Sequence, residues 1–407
     1  MDKYCKHFLM DTEEAKIYSK DVVKYFAPDE KLEAKEIGDG NINYVFKIWN
    51  PETGKSLIIK QADTLLRSSG RPLDVRHSRI EAEILKIQGQ LAPTYIPKVH
   101  HYDEIMCAIS MEDISEYKNL RKELMDGKTF SHLAEELSTF LADTLLPTTD
   151  LVVGRAEKKD RVIEFTNKEL CDISEDLVFT EPYYNYKNRN IIIDENKEFV
   201  EEHLYNNEKL KAEVGMLRNN FMNCAQSLIH GDLHSGSIFA NEKGIKVIDP
   251  EFAFYGPMGY DIGNVIGNLF FSWTNKFYTD NKNEEFLNWI EKTIENTVDL
   301  LINKLSKKYD SVVTFDLYNK YFKENYLKEV LADSMGYAGT EMIRRVVGDS
   351  KVIEVTSVED MKQRLPLERA LIKMGIALIT DRYKITMGKD LTAVSYTHLT
   401  LPTNREV

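Results

Sequence analysis

A chain of 407 residues, 43% hydrophobic and 29% charged, is long enough for more than one core and has ordinary globular composition. Its formal net charge of −13 excludes a general nucleic-acid binder, because no basic excess exists to neutralise phosphates. No apolar run approaches bilayer length, the N-terminus MDKYCKHFLMDTEE lacks a signal peptide's apolar core, and Cys5, Cys107, Cys171 and Cys224 are too scattered for a metal or redox pair. A chain in a reducing cytoplasm, with no membrane and no nucleic-acid partner, is expected.

Residues 12–26 carry early acidic residues and helical apolar spacing, predicting a helix. Gly38 and Gly40 precede an alternating strand, Tyr44 to Ile48; a turn at 50–54 then leads into Leu57-Ile58-Ile59-Lys60. Residues 77–89 predict an amphipathic helix with Ile80, Ile84 and Ile87 as its apolar stripe. Val99–Tyr102 and Met106–Met111 read as two more strands, completing a small N-terminal sheet that ends at Met111-Glu112-Asp113. Beyond residue 130 the pattern becomes helical. Residues 131–146 are strongly periodic, residues 160–200 have no clean period, and 179–184 read as a loop or insert. Helices are predicted over 197–228, 262–275, 283–306, 315–347 and 366–387. The tail from Val394 (VSYTHLTLPTNREV) continues no pattern and reads as non-native, so 394–407 is left out of the fold. The expected architecture is α+β and two-lobed: a small antiparallel N-terminal lobe over 1–112 and a larger, mostly helical lobe over 113–393.

Residues 228–263 carry the chemistry. His230-Gly231-Asp232-Leu233-His234 and Asp249-Pro250-Glu251 each end an apolar run, and the β-branched Ile245-Lys246-Val247-Ile248 lies between them. Two loop carboxylates, Asp232 and Asp249, are what phosphoryl transfer needs: one to orient or deprotonate the attacking hydroxyl, one to hold the metal on the nucleotide phosphates. The alternatives are a pair of solvated turn aspartates, or a metal site built from the alternating His230, Asp232 and His234. Phosphoryl transfer also demands a glycine loop and then a strand lysine, and Gly38, Gly40 and Lys60 stand in that order. Asn43 replaces the third glycine, and its amide suits a phosphate. Glu81 or Glu83, with Glu81 preferred, is the partner expected for Lys60. Met111, Glu112 and Asp113 stand where a hinge would meet an adenine ring through backbone groups.

Three stretches, EIGDGNINYVFKI with LIIKQA, LIHGDLHSGSIF, and VIDPEFAFYGPMGYDIG, together with GYAGTEMIRRVVG, resemble the S-methyl-5-thioribose kinase family over roughly residues 30–390. That family belongs with the aminoglycoside and choline kinases in a protein-kinase-like fold. The resemblance implies an ATP- and Mg²⁺-dependent homodimer that phosphorylates the 1-hydroxyl of 5-methylthioribose in methionine salvage. It implies Asp232 as the catalytic carboxylate near the sugar, Asp249 and Glu251 on Mg²⁺, and Lys60 on the α- and β-phosphates. Asn43 and Pro250 would lie along the nucleotide, and Arg344 and Arg345 would reach the sugar and the transferring phosphate. Ser237 stands where protein kinases place a metal-binding asparagine, and no Ala-Pro-Glu segment follows Asp249; both depart from the protein kinases. Another small-molecule kinase of this fold, or a non-catalytic nucleotide-binding scaffold, remains the rival reading.

Overall fold

The computed structural model describes residues 2–37, 43–63, 76–280 and 282–399. The predicted glycine loop, with Gly38 and Gly40, lies outside the described residues. The chain forms two compact units: one from the residues up to Tyr117 together with Lys246–Ala253, the other from Lys118–Ile245 and from Phe254 onward. The expected boundary at 112/113 thus falls five residues early, and it missed that 246–253 joins the first unit.

The first unit opens with helix α1 (Thr12–Asp21), started by Asp11, whose side chain accepts from the Glu14 N–H at 2.8 Å. It ends short of the predicted residue 26, and Lys24 takes a left-handed φ of 54°. Strands β1 (Glu33–Glu36), β2 (Asn43–Trp49) and β3 (Ser56–Ala62) precede helix α2 (Arg76–Leu91), and β4 (Val99–Asp103) and β5 (Ala108–Met111) follow it. They make one antiparallel sheet in the order β1-β2-β3-β5-β4. The β2–β3 turn is set by Asn50, whose side chain accepts from Glu52 N–H at 2.9 Å, and by Gly54 at φ 71°. Strand β5 starts later than Met106 because Asp103 accepts from the Ile105 and Met106 N–H groups at 2.9 and 3.0 Å, closing a turn there.

The period of two sorts β3 onto two faces. Leu57 and Ile59 pack with Phe46, Ile48 and Tyr18 of α1. Ile58 packs with Ala82 of α2, Ile109 and Met111. Lys60, two residues on from Ile58, points to the α2 face. Helix α2 also packs on the 3-10 turn Pro250–Phe252.

The second unit begins with β6 (Lys118–Asn119), α3 (Leu120–Met125) and α4 (Leu133–Leu145), then α5 (Arg155–Glu164), α6 (Lys168–Phe179) and α7 (Glu181–Tyr184). The last three replace the expected irregular stretch and insert. Their period is blurred for a physical reason: the buried position of α5 is Lys158, and the buried row of α6 runs Leu170, Ser174, Val178. The single helix predicted over 197–228 is broken into α8 (Lys197–Val200), a π turn (Glu201–Tyr205) and α9 (Glu208–Asn223). Asn207 caps α9, accepting from the Leu210 N–H at 3.1 Å. Then come β7 (Ser227–Ile229), β8 (Ile238–Asn241), β9 (Gly244–Val247) and β10 (Phe254–Gly256), with β10 antiparallel to β7 and the order β6-β8-β9 in a second small sheet.

Helix α10 (Gly259–Thr279) is buried from Gly259 through Asn275 and is the axis of this unit. It packs on α12 (Lys320–Val347), where a Cβ at Gly263 would meet Ala338 N and Ser334 O at 2.6 Å. Helix α12 in turn packs on α14 (Met361–Thr380) through Gly339 against the Gly375 carbonyl. Helix α11 (Glu284–Val312) lies against α4, and α13 (Ile353–Thr356) is a short turn beside α10. Helix α12 starts at Lys320 and not at 315, because the Asn319 side chain caps the Tyr321 and Phe322 N–H groups at 3.0 and 3.3 Å. Helix α14 runs through Pro366, which the expectation took as its start.

Helix α15 (Gly388–Leu399) continues straight through Val394, contrary to the expected break in pattern. Ser395 is buried, and the Tyr396 ring meets Trp273 edge-on at 5.5 Å. Among the described residues, no helix is long and apolar enough to cross a membrane.

Candidate active site

In the first unit the geometry gathers the residues expected around the nucleotide. Lys60 Nζ lies 2.7 Å from Glu81 Oε1 and 2.6 Å from Asp249 Oδ1. Glu83 instead pairs with Lys86 on the surface of the same helix at 2.7 Å, so Glu81 is the lysine's partner. The side chains of Lys60 and Glu81 are only 7% and 2% exposed, whereas Asp249 is 47% exposed. Asp249 adopts a left-handed φ of 63°, which an aspartate tolerates better than most residues. Pro250 then starts the 3-10 turn that carries Glu251. Asn43 Nδ2 donates to Glu251 Oε2 at 2.9 Å, so its amide meets a carboxylate here.

Electrostatics follow from this crowding. Burial alone would lower the Lys60 pKa, but the Asp249, Glu81 and Glu251 carboxylates outweigh it, and Lys60 stays cationic. Burial pushes Glu81 up to about 8, against the pull of Lys60 and helped by Asp249 and Glu251. Even without a charge on Glu81, the Asp249 and Glu251 carboxylates around one ammonium leave surplus negative charge.

Met111 ends β5 with a buried side chain, opposite Ile58 and Val99. The Glu112 N–H is already spent on the Lys98 carbonyl at 2.9 Å, and its carboxylate accepts from the Lys98 N–H at 3.0 Å. Asp113 pairs with Lys47 at 2.7 Å.

In the second unit, Asp232 stands on the loop after β7. Helix α10 fixes that loop: Asp261 accepts from the His230 and Gly231 N–H groups at 2.6 and 3.0 Å. Gly231 sits at φ 82°, where a Cβ would strain the turn. Asp261→Asn exchanges one acceptor for an NH₂ facing a backbone donor. It is expected to cost about 1–3 kcal/mol in chemical denaturation; an unchanged midpoint would show that the loop does not depend on this bond.

Arg344 and Arg345 of α12 are buried, not on an exposed helix face. Their Nη2 atoms lie 3.4 and 3.5 Å from Asp232 Oδ1. Both Nε groups bond Glu341, Arg344 to Oε2 and Arg345 to Oε1 at 3.0 Å. Sequence reasoning overlooked Glu341, although its spacing of three and four residues before the arginines is the helical ion-pair spacing. The two guanidiniums hold Glu341 down at about 2 despite its burial.

Burial would raise Asp232, but His234, Arg345 and Arg344 hold it well below the usual carboxylate range. His234 is itself pushed down to about 4, chiefly by burial, so at neutral pH the arginines keep Asp232 ionised. The His234 Nδ1 accepts from the Ser237 N–H at 3.1 Å, which leaves the proton on Nε2, 3.4 Å from Asp232 Oδ2. The His230 Nδ1 accepts from the Asp232 N–H at 3.3 Å. In the His230–Asp232–His234 triplet, His230 Nδ1 is turned to the loop backbone, and the two His234 ring nitrogens are turned to the loop and to the Asp232 carboxylate. Among the described residues, no group of three or more His, Cys, Asp or Glu side chains is arranged to hold a metal. The Ser237 hydroxyl donates to the Asp232 carbonyl at 3.3 Å and closes the loop.

A partly exposed, arginine-flanked carboxylate in one unit and a lysine–glutamate pair with a half-exposed aspartate in the other are the equipment of a phosphotransferase. The sequence model of the phosphotransferase enzyme family matches residues 33–289. The choline kinase from Cryptosporidium parvum Iowa II shares the fold, with a TM-score of 0.50 at 15% identity over 91% of this chain and 100% of that one. The methylthioribose kinase of Geobacillus sp. (strain WCH70) is 37% identical over 377 residues, 89% of this chain and 90% of that protein. That of Enterobacter sp. (strain 638) is 34% identical over 379 residues, covering 90% and 92%. The chain belongs to the methylthioribose kinase family, and it is a kinase.

Proposed function

We propose that this kinase transfers the γ-phosphoryl group of ATP to the 1-hydroxyl of 5-methylthioribose, giving 5-methylthioribose 1-phosphate and ADP in methionine salvage. The observation that carries the reading is Asp232, an ionised carboxylate set against two buried arginines that share Glu341. The kinship to methylthioribose kinases over nine-tenths of the chain supplies the acceptor.

Asp232 orients the sugar's anomeric hydroxyl and takes its proton. A carboxylate held this acidic is a weak base, but two features make that sufficient. The anomeric hydroxyl is more acidic than an ordinary alcohol, and in a loose transition state the proton leaves late. Arg344 and Arg345 lie beside the sugar and stabilise charge on the group in flight. Lys60, fixed by Glu81, contacts the α- and β-phosphates. Asn43 and Pro250 line the nucleotide, and the Met111–Asp113 segment meets the adenine. In this reading the unit formed by the residues up to Tyr117 with Lys246–Ala253 binds the nucleotide, and the unit formed by Lys118–Ile245 and the residues from Phe254 onward carries the catalytic carboxylate and the sugar-binding arginines.

Asp249 and Glu251 fit a magnesium ion. They are hard oxygen donors two residues apart, in a cluster whose negative charge exceeds its one lysine. Mg²⁺ takes one or two protein carboxylates and completes its shell with phosphates and water. When bound it neutralises phosphate charge. A cytoplasmic homodimer completes the reading, on the family resemblance.

Glu251→Gln is expected to raise the Mg²⁺ concentration giving half-maximal rate by about tenfold, since a charged hard ligand is lost. Ser237→Ala is expected to move it much less, because that hydroxyl is turned to the Asp232 carbonyl. The reverse ranking in a Mg²⁺ titration overturns the metal assignment. The reaction itself is checked by ³¹P NMR of the product: an anomeric phosphate supports the reading, and phosphate elsewhere on the sugar contradicts it.

A further inference from the structure

Arg121 stands second in α3, a helix of six residues with no sequence motif around it. Its backbone N–H bonds the Ser235 carbonyl at 3.2 Å and its Nε the Ser235 hydroxyl at 3.1 Å. Its Nη2 donates to Asn268 Oδ1 of α10 at 2.9 Å. The loop rests directly on this guanidinium: a Cβ at Gly236 would meet the His234 ring at 2.8 Å and Arg121 Nη1 at 3.4 Å. The fully buried Glu354 of α13 lies 3.3 Å from Arg121 Nε. Asn268 passes the connection on, its Nδ2 donating to Glu341 Oε1 at 3.2 Å. One guanidinium thus ties the backbone after Asp232 to the glutamate that seats both site arginines.

We propose that Arg121 is a positioning residue for phosphoryl transfer, holding the 232–237 loop so that the His234 Nε2–H faces Asp232. The inference rests on the reading of Asp232 as the carboxylate at the sugar hydroxyl. Two consequences follow from the contacts. Mechanically, the planar fork engages Ser235 and Asn268 together, which an ammonium cannot do. Electrostatically, Arg121 disfavours a second positive charge on His234. The charged groups that act on that ring are Asp232 on its own loop, Arg121 on α3, and Arg345 and Glu341 on α12; Arg344 and His230 act on Asp232 beside it, and Glu354 of α13 acts on Arg121. Burial and then Arg121 and Arg345 push His234 down to about 4, against Asp232 and Glu341. A protonated His234 would donate from Nδ1, where it now accepts from Ser237, and the loop bond at 3.1 Å would be lost.

The test uses the full-length enzyme and three variants: Arg121→Gln, Arg121→Lys, and Arg121→Gln with Glu354→Gln. The double variant removes the two buried charges as a pair, so it carries the test should the single glutamine variant not fold. The His234 ring is titrated by ¹H–¹⁵N NMR, which needs no turnover. In the glutamine variants its midpoint is expected to rise by about one pH unit or more. The acid limb of kcat should move with it. At neutral pH kcat should fall on the order of 10²-fold, the scale of a misplaced catalytic group, with KM for ATP nearly unchanged. Arg121→Lys should keep the low His234 midpoint and recover kcat only in part. A folded double variant with an unshifted His234 midpoint and wild-type kcat overturns the proposal. An enzyme inactive on methylthioribose, in which the His234 midpoint still moves, overturns the assigned reaction and leaves the Arg121 contact standing.

Discussion

Asp232→Asn is expected to lower kcat by about 10²-fold or more, the scale of general-base contributions, while ATP still binds. The substitution removes the negative charge that meets Arg344 and Arg345 at 3.4 and 3.5 Å, but the fold should survive it. Glu341 still pairs with both guanidiniums, but its single negative charge balances only one of them, so some stability is lost along with the Asp232 charge. The loop is held by Asp261 and by Ser237, not by the Asp232 carboxylate. A kinetic loss much larger than the accompanying loss of thermal stability is therefore the expected signature. Turnover at the wild-type rate would show that the carboxylate has another role.

Arg344→Ala and Arg345→Ala are each expected to reduce kcat/KM for methylthioribose by about 10²-fold, and by more if either acts as a cis arginine finger. Methylthioribose is neutral, so the arginines matter most for the phosphoryl group in flight and for the phosphorylated product. ATP affinity measured without sugar should hardly change. Lysine should rescue only in part, because each arginine uses its fork to reach Glu341 and Asp232 at once. Full activity in the double alanine variant, or an equal loss of ATP binding, would reduce the pair to a structural element.

The first unit was legible because its signals are local. The Asn50 turn, the alternating strands and the lysine two residues after Ile58 each follow from short-range rules. The preference for Glu81 over Glu83 was settled by the face on which α2 meets β3. In the second unit, what was missed depends on long-range contacts. Asp261, Asn268 and Arg121 hold the Asp232 loop through contacts spanning 30 or more positions in sequence, and no motif marks Asn268 or Arg121. The α5–α7 stretch was unreadable because Lys158 and Ser174 occupy buried positions where the pattern demands apolar residues. Glu341 is the one omission that helical spacing should have caught. The continuation of α15 past Val394 was missed for the opposite reason: residues 394–399 add a last turn, with Tyr396 against Trp273, where composition showed no period.

The central claim is the identity of the acceptor, and an acceptor screen tests it most directly. ADP release is measured with Mg-ATP and, separately, methylthioribose, choline, homoserine or an aminoglycoside. The account predicts turnover with methylthioribose, cut about 10²-fold or more by Asp232→Asn, and absent with the other three. Turnover with any of those three in place of methylthioribose, or Mg-ATP binding with no turnover on any acceptor, would contradict it.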